Sequence, residues 1–261
     1  MANNTPDKIS KLPKGWGKLQ ARTAKALLNI EFSNLEAMIK SLDSEIDRLE
    51  SKLSKTNDEA EQALIIKESA DRVAEVVARH VMRMRKEARA LADESLEAEL
   101  EELGIDPART RTSASRADAA AAAAAGLSYA SVWASTALSV ILQTEEGQPK
   151  VRRPLENQDY RLERIATTET SRAFNDEHSR GVDSIADDES NREKHWFPLI
   201  VKRWDAILDR KTCAICRDHD GDIVPLGINF SNDDTPGEVH PNCRCMSTLI
   251  PLPAFYTTEA A

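Results

Sequence analysis

The sequence predicts an α+β protein: a mainly helical N-terminal part built on a long coiled-coil-like hairpin, then a small α+β C-terminal module clipped by a zinc site. Three observations predict it. Leu28, Phe32, Leu35, Ile39, Leu42, Ile46, Leu49 and Leu53 alternate spacings of four and three, a seven-residue repeat sustained over nearly four repeats. Ala119 to Ala125 is an unbroken alanine run, the strongest local helix signal a sequence can carry. All four cysteines fall between 213 and 245, as Cys213-x-x-Cys216 and His240-Pro-Asn-Cys243-Arg-Cys245.

Composition bounds the partners. The hydrophobic fraction of 41% supports a core, while 30% charged residues and 5% aromatics point to long helices with solvated faces. A formal net charge of -9 argues against a protein that coats DNA through its overall field. No run of about 18 apolar residues stands out and no signal-like segment follows Met1, so no membrane is expected and the protein is expected in the cytoplasm.

Residues 1–27 form a basic arm, in which Lys8, Lys11, Lys14, Lys18, Arg22 and Lys25 face the single acid Asp7, with Trp16 between glycines. Such an arm reads either as a contact for DNA phosphates or an acidic partner, or as a solvated tail. Residues 28–104 are the helical hairpin. Lys55-Thr-Asn-Asp suits a turn and an N-cap, and Val73, Val77, His80 and Met84 resume the four-three spacing on a second helix, with His80 in the seam. That helix either folds back on the first or pairs with another chain, which would make 28–53 a homo- or hetero-oligomer seam. Arg72, Arg79, Arg83 and Lys86 lie near one helix face, as DNA contacts or as an ordinary solvated face. Acidic residues from Glu94 to Glu102 then lead to a stop at Gly104.

Residues 105–157 are a linker and the Ala-rich helix, read as a packed helix from Asp118 to Gln143 because alanine lets a neighbouring backbone approach closely. Gly147, Pro149 and Pro154 end it. The C-terminal module occupies 158–253, before a tail at 254–261. Its first helix, 158–178, turns Leu162, Ile165, Ala166, Ala173 and Phe174 inward, with Arg164 and Glu169 on or beside that face. Those two are five apart, which suits separate partners better than a mutual contact. Lys194 to Trp204, Ile223 and Val224, and Met246 to Leu252 read as three strands of a small antiparallel sheet, with 227–238 an exposed loop.

A Cys-x-x-Cys knuckle points two thiolates at one centre, and His240 follows Cys216 by 24 residues, so the second cluster can close a tetrahedral site suited to zinc. Cys213, Cys216, His240 and Cys245 are the leading ligand set, with Cys243 as substitute; an all-cysteine site supported by His240 is the other arrangement. Free buried thiols and disulfides are the competing readings. Because protein ligands can fill every position, the zinc is expected to be structural. His219, among Asp218, Asp220 and Asp222, is a weaker ligand candidate.

The order Arg164-Ile-Ala-Thr-Thr-Glu169-Thr, Asn175, Gly181, a Trp-containing segment, Asp209-Arg-Lys-Thr-Cys213-Ala-Ile-Cys216, Asp220-Gly221 and His240-Pro-Asn-Cys243-Arg-Cys245 resembles the phage head morphogenesis family, the minor head proteins similar to protein F of phage Mu. It covers about residues 155 to 252. The resemblance implies a minor capsid protein of a tailed phage, acting in prohead assembly, bound to the portal and other head proteins, touching packaged DNA, and located in the host cytoplasm and then the virion head. Two other functions are compatible with the residues. A zinc-containing HNH-type nuclease matches Cys213-x-x-Cys216, Asp218-His219, His240 and Asn242 superficially, and needs His219 to face a divalent metal. A zinc-containing DNA-binding protein would use the two basic stretches. No phosphate loop or paired acid accompanies Glu169, so an enzyme is not the expected outcome.

Overall fold

The structure is a computed structural model that describes residues 17–106, 116–144, 149–207, 212–231 and 234–252, with the side chains of 116 and 117 excepted. Lys11 and Lys14 of the expected basic arm lie outside the described residues. The chain divides into two compact units, one from residues 31–84 and 114–166, the other from residues 1–30, 85–113 and 167–261. Helices α1 (Lys18–Leu53), α2 (Glu59–Glu102) and α5 (Asp159–Asp187) contribute residues to both.

The first unit is all helix: parts of α1, α2 and α5, with α3 (Arg116–Leu142) and α4 (Arg152–Glu156). The α1–α2 turn is capped as its residues suggest, Asp58 Oδ1 accepting from the Glu61 backbone N–H at 2.8 Å. Lys52 meets Glu68 at 2.8 Å, Arg72 meets Glu45 at 2.8 Å, and His80 meets Ser41 at 3.1 Å. Rising numbers on α2 thus face falling numbers on α1, and the two helices run antiparallel. They do not form a two-stranded coiled coil. Met38, Leu42, Ile46, Leu49 and Leu53 of α1 share one core with Ile66, Val73, Val77, Val81 and Met84 of α2, Tyr129 and Trp133 of α3, Leu155, and Leu162 of α5. Of the stripe expected to offer an oligomer seam, Leu42, Ile46, Leu49 and Leu53 are buried in this core, while Leu35 and Ile39 are half-buried against it. His80 sits beside that core, half-buried; burial and then Arg79 and Arg83 lower its pKa.

The close approach expected of the alanine helix is real. A Cβ on Gly126 would lie 2.4 Å from the Ala74 carbonyl oxygen, and Trp133 Nε1 donates to Ser69 at 3.2 Å. The expectation of no long apolar run needs correcting, since Asp118–Leu142 is long and apolar enough to cross a membrane by length and composition. Its inward side, with Ala122, Tyr129, Ala130, Trp133 and Ala137, packs in the helical core.

The second unit sets a three-stranded antiparallel sheet beside helices. Its order is β2 (Ile223–Pro225), β1 (Ile200–Asp205), β3 (Met246–Pro251), and Lys202 stands opposite both Val224 and Leu249. The expected first strand from Lys194 is shorter than read. Phe197–Leu199 is a 3-10 turn, because Pro198 has no N–H to donate to a ladder. The acidic stretch after Asp183 does not break α5, which runs on to Asp187. Val182, Ile185 and Ala186 cluster with Leu96, Leu100, Ile200 and Leu249, and that burial outweighs the charges beside them. A short α6 (Glu189–Arg192) follows, capped by Asp188. The loop 227–238 is pinned rather than freely exposed, since Phe230, Pro236 and Gly237 are buried.

The described end of the basic arm is helical: α1 begins at Lys18, and Leu19, Ala24 and Leu27 are buried. Ala24 and Leu27 cluster with Ala88 and Ala92 of α2, Ala173 and Phe174 of α5, and Met246.

Candidate metal centre

Cys213 is the N-cap of a short helix, α7 (Ala214–Asp218), where its Sγ accepts from the Cys216 N–H at 3.4 Å. This is the local geometry that turns two side chains three residues apart toward one point. His240 and Cys243 repeat the spacing: the Cys243 N–H donates to the His240 carbonyl at 3.2 Å, and Asn242 adopts φ 66° to close the turn. All four cysteines are free thiols, so the disulfide reading is set aside; three are buried and Cys213 half-buried.

The donors converge in two groups sharing Cys216. Cys213, Cys216 and His240 form one, Cys216, Cys243 and Cys245 the other, and ligand atoms within each lie within 4.8 Å of one another. His240 Nε2 is 3.0 Å from Cys213 Sγ and 2.9 Å from Cys216 Sγ, while Cys216 and Cys243 sulfurs are 3.7 Å apart. A tetrahedral zinc thiolate with bonds of about 2.3 Å requires sulfurs about 3.8 Å apart, so that last edge already fits. The Nε2–Sγ distances are of hydrogen-bond length, and admitting an ion requires those donors to part by roughly half an ångström. The tautomer of His240 also suits a ligand. Its Nδ1 is 2.7 Å from the Pro241 carbonyl oxygen, which can only accept; Nδ1 therefore carries the proton, and the Nε2 lone pair points at the thiols. The two groups are geometrically compatible with a structural zinc.

The electrostatics of the sulfurs are uneven. Hydrogen bonds from Cys216 and Cys245 push the Cys243 pKa down, helped by the backbone N–H groups of Cys245 and Gly237. Cys216 is pushed up chiefly by its hydrogen bond to Cys243, and Cys245 chiefly by its bond to Cys216. A small cavity reaches the cluster, lined by Ile207, Thr212, Asn242 and Arg244 besides Cys213, Cys216, His240 and Cys245.

The cluster is held by α5. Thr168 Oγ1 accepts from the Asn242 N–H at 3.0 Å, and Thr167 Oγ1 accepts from Arg244 at 3.2 Å. Asn175 donates Nδ2 to the Ser171 and Cys245 carbonyls, both at 2.9 Å, and its Oδ1 accepts from the Ser247 N–H at 3.1 Å. Next along β3, Glu99 of α2 accepts from the Leu249 N–H at 2.9 Å. The Ser247 and Leu249 N–H groups lie along the edge of β3 that β1 does not cover. Two side chains thus do for that edge what a fourth strand would do. Glu99 is itself positioned by His178, at 2.9 Å, and by Ser95, at 3.1 Å.

The motif residues anticipated from sequence separate into clear roles. Glu169 pairs with Arg85 at 2.7 Å, and Arg89 pairs with Glu177, both links joining α2 to α5. Asp220 Oδ1 accepts from the Ala206 N–H at 2.9 Å, and Gly221 takes φ 91° in the turn before β2. Gly181 is buried within α5. Arg164, expected on or beside the inner face, is exposed. His219 is no ligand of this cluster. It stacks on Trp204 with centroids 4.5 Å apart, and its nitrogens meet Asp222 at 2.8 Å and Asp234 at 3.2 Å. It is not among the donors that converge with the cysteines. Among the described basic candidates Lys18, Arg79, Arg83 and Lys86 are exposed, whereas Arg85 and Arg89, adjacent in sequence, are buried in the ion pairs above.

Sequence reasoning missed Thr167, Thr168, Gly237, Arg85, Arg89, Glu99 and His178. Thr167 and Thr168 stood inside the Arg164–Glu169 motif without a role assigned to them, and Gly237 carried the local signal of a glycine within a loop; at φ 84° a Cβ there would lie 2.7 Å from Asn175 Nδ2 and 3.0 Å from the Ser171 carbonyl oxygen.

The fold and the site define a class: a mainly helical chain with a small C-terminal sheet, whose Cys/His cluster is fastened to α5 by threonines and an asparagine. The family model described as Phage Mu protein F like protein matches residues 33–248, most of the chain, and the chain belongs to that family. Membership supports a general role in phage head assembly. No curated protein and no solved structure matches.

Proposed function

We propose that this chain is a minor head protein of a tailed phage that acts in prohead assembly, bound to the portal and in contact with packaged DNA, and located in the host cytoplasm and then in the virion head. The observation that carries this reading is the family match over residues 33–248. In it the C-terminal module is a rigid plug held closed by zinc. Cys213, Cys216, His240 and Cys243 are the ligands, because the two knuckles have equal spacing and the Cys216 and Cys243 sulfurs already stand 3.7 Å apart. Cys245, favoured from spacing alone, is then a fifth donor beside the site, grouped with Cys216 and Cys243. The exposed basic residues Lys18, Arg79, Arg83 and Lys86 serve as DNA or partner contacts, with Lys11 and Lys14 joining them in the same role.

The test is co-expression of the full chain with the portal and the major head protein, followed by isolation of proheads. The chain should co-purify with portal-containing particles, and its omission should yield aberrant or empty heads. Normal heads formed without it would sink the proposal. DNA contact is checked separately by salt-dependent retention on duplex DNA, which Arg79→Glu with Arg83→Glu should weaken.

A further inference from the structure

The outer side of α3 is anomalous for a helix at a protein surface. From Ala119 to Thr144 the sequence contains no charged residue, in a chain where 30% of residues are charged. That side nevertheless holds Leu127 at 66% exposure, Leu138 at 38% and Leu142 at 80%. A surface helix ordinarily balances its buried stripe with a charged face.

The exposed residues are also ordered along the helix. Ala120, Ala124, Leu127, Ser131, Ser135, Leu138 and Leu142 are all exposed, and their spacings are four, three, four, four, three and four. The series is a seam by its three-four period, and it reads the same from either end, with Ser131 at its centre. The sizes do not read the same: Ala120 and Ala124 mirror Leu142 and Leu138, and Leu127 mirrors Ser135. When a second copy of the stripe lies antiparallel across a twofold axis at Ser131, Leu142 falls on Ala120, Leu138 on Ala124 and Leu127 on Ser135. Each of these three contacts joins one large side chain to one small one, and the two Ser131 side chains meet on the axis, an arrangement that lets the stripes interdigitate.

We propose that α3 is a self-association face, and that its occupant is α3 of a second copy of this chain, packed antiparallel about Ser131. Charge supports the choice of occupant. At net charge -9 two copies repel, and this stripe is a surface on which they can meet without opposing any like charge. A face related to itself by a twofold axis is the commonest way for identical chains to close an assembly. The seam stands on exposure and spacing alone and does not depend on the head-assembly reading.

The experiment is sedimentation equilibrium of the full chain at micromolar concentration, with Leu127→Glu and Leu142→Glu as variants. Both positions are exposed, so the variants should keep wild-type helicity and melting behaviour. The wild type should have twice the chain mass, and each variant should dissociate at least about tenfold more readily, since an unpaired carboxylate then enters an apolar contact twice per dimer. Ser131→Cys under mild oxidation should give a reducible covalent dimer, and Ser44→Cys, on an exposed part of α1, should not. A monomeric wild type overturns the proposal, including one that floats with phospholipid vesicles, which would make α3 a membrane face. So does a dimer that survives both glutamates.

Discussion

Asn175→Ala isolates the contact between α5 and the strand that carries the cysteine cluster. The side chain is fully buried and bridges the Cys245 carbonyl and the Ser247 N–H, acting as one residue of a neighbouring strand. Truncation leaves both backbone groups inside the protein with no water to replace the amide. An orphaned buried donor or acceptor costs about 1–3 kcal/mol, so the two together cost roughly 4 kcal/mol. That is a large share of the roughly 5–15 kcal/mol that holds a typical domain folded. At about 2–4 °C per kcal/mol for a chain of this size, the melting temperature should fall by roughly 8–16 °C. The assay is urea and thermal unfolding at fixed free zinc, because bound metal adds its own stabilisation. Metal affinity should fall as well, roughly 10–100-fold, as it does when groups that orient ligands are removed. Asn175→Asp is the informative companion: it keeps an acceptor for the Ser247 N–H but turns an oxygen toward two carbonyls, and should be no better than alanine. A loss below about 1 kcal/mol for Asn175→Ala would refute the account of the amide as a substitute strand.

Three further outcomes follow from the same geometry. Cys213→Ser and Cys216→Ser should each abolish stoichiometric zinc binding and make the region after 212 protease-sensitive while the helical unit stays resistant; chelation of the wild type should mimic them, removing about 4 kcal/mol where free zinc had stood near a thousandfold above Kd. Burial pushes the Asp205 carboxyl up to about 6, against the bonds from Thr248 and Arg203 that pull it down; the contribution of this one group to stability should be full below about pH 4 and lost, by up to about 3 kcal/mol, as pH rises through 6, so pH-dependent urea titrations of wild type and Asp205→Asn should differ by that slope. Gly237→Ala should cost well over 1 kcal/mol because a Cβ would strike Asn175 and the Ser171 carbonyl, whereas Gly104→Ala, equally left-handed at φ 72° but with nothing within 4 Å, should cost only the backbone term of about 1 kcal/mol, a difference that thermal melts resolve.

The parts legible in the sequence were those whose signal is local. Three-four spacing gave the α1 stripe, the alanine run gave α3, and the two knuckles gave the donors, because each is decided by residues a few positions apart. What the stripe packs against was not local. Leu42 and Leu49 read as a coiled-coil seam, yet their burial depends on Trp133 and Leu162, far along the chain. The same limit hid the supports of the metal centre. Arg85 and Arg89 sit among exposed basic residues and read as more of the same; they are buried because Glu169 and Glu177, 84 and 88 residues on, neutralise them. Glu99 belongs to an acidic run that reads as solvated, and only the Leu249 N–H, 150 residues away, together with His178, gives it an interior role. Thr167 and Thr168 belong to the motif between Arg164 and Glu169, yet nothing in their neighbours assigns them a role until Arg244 and Asn242 arrive at them.

The division of the motif residues has a consequence for any genetic study of assembly. Glu169, Asn175, Asp220 and Gly221 each have a sufficient internal explanation: an ion pair between helices, a bridge to β3, a bond to the chain leaving β1, and a left-handed turn. Substituting any of them disturbs the C-terminal fold first, so a head-assembly defect that results does not locate a docking surface. Arg164 is different. It is exposed on α5, and burial gives no reason for an arginine there. If a partner reads this end of α5, Arg164→Glu should impair co-assembly while leaving zinc content and unfolding unchanged, and that combination of results is one that none of the interior motif residues can produce.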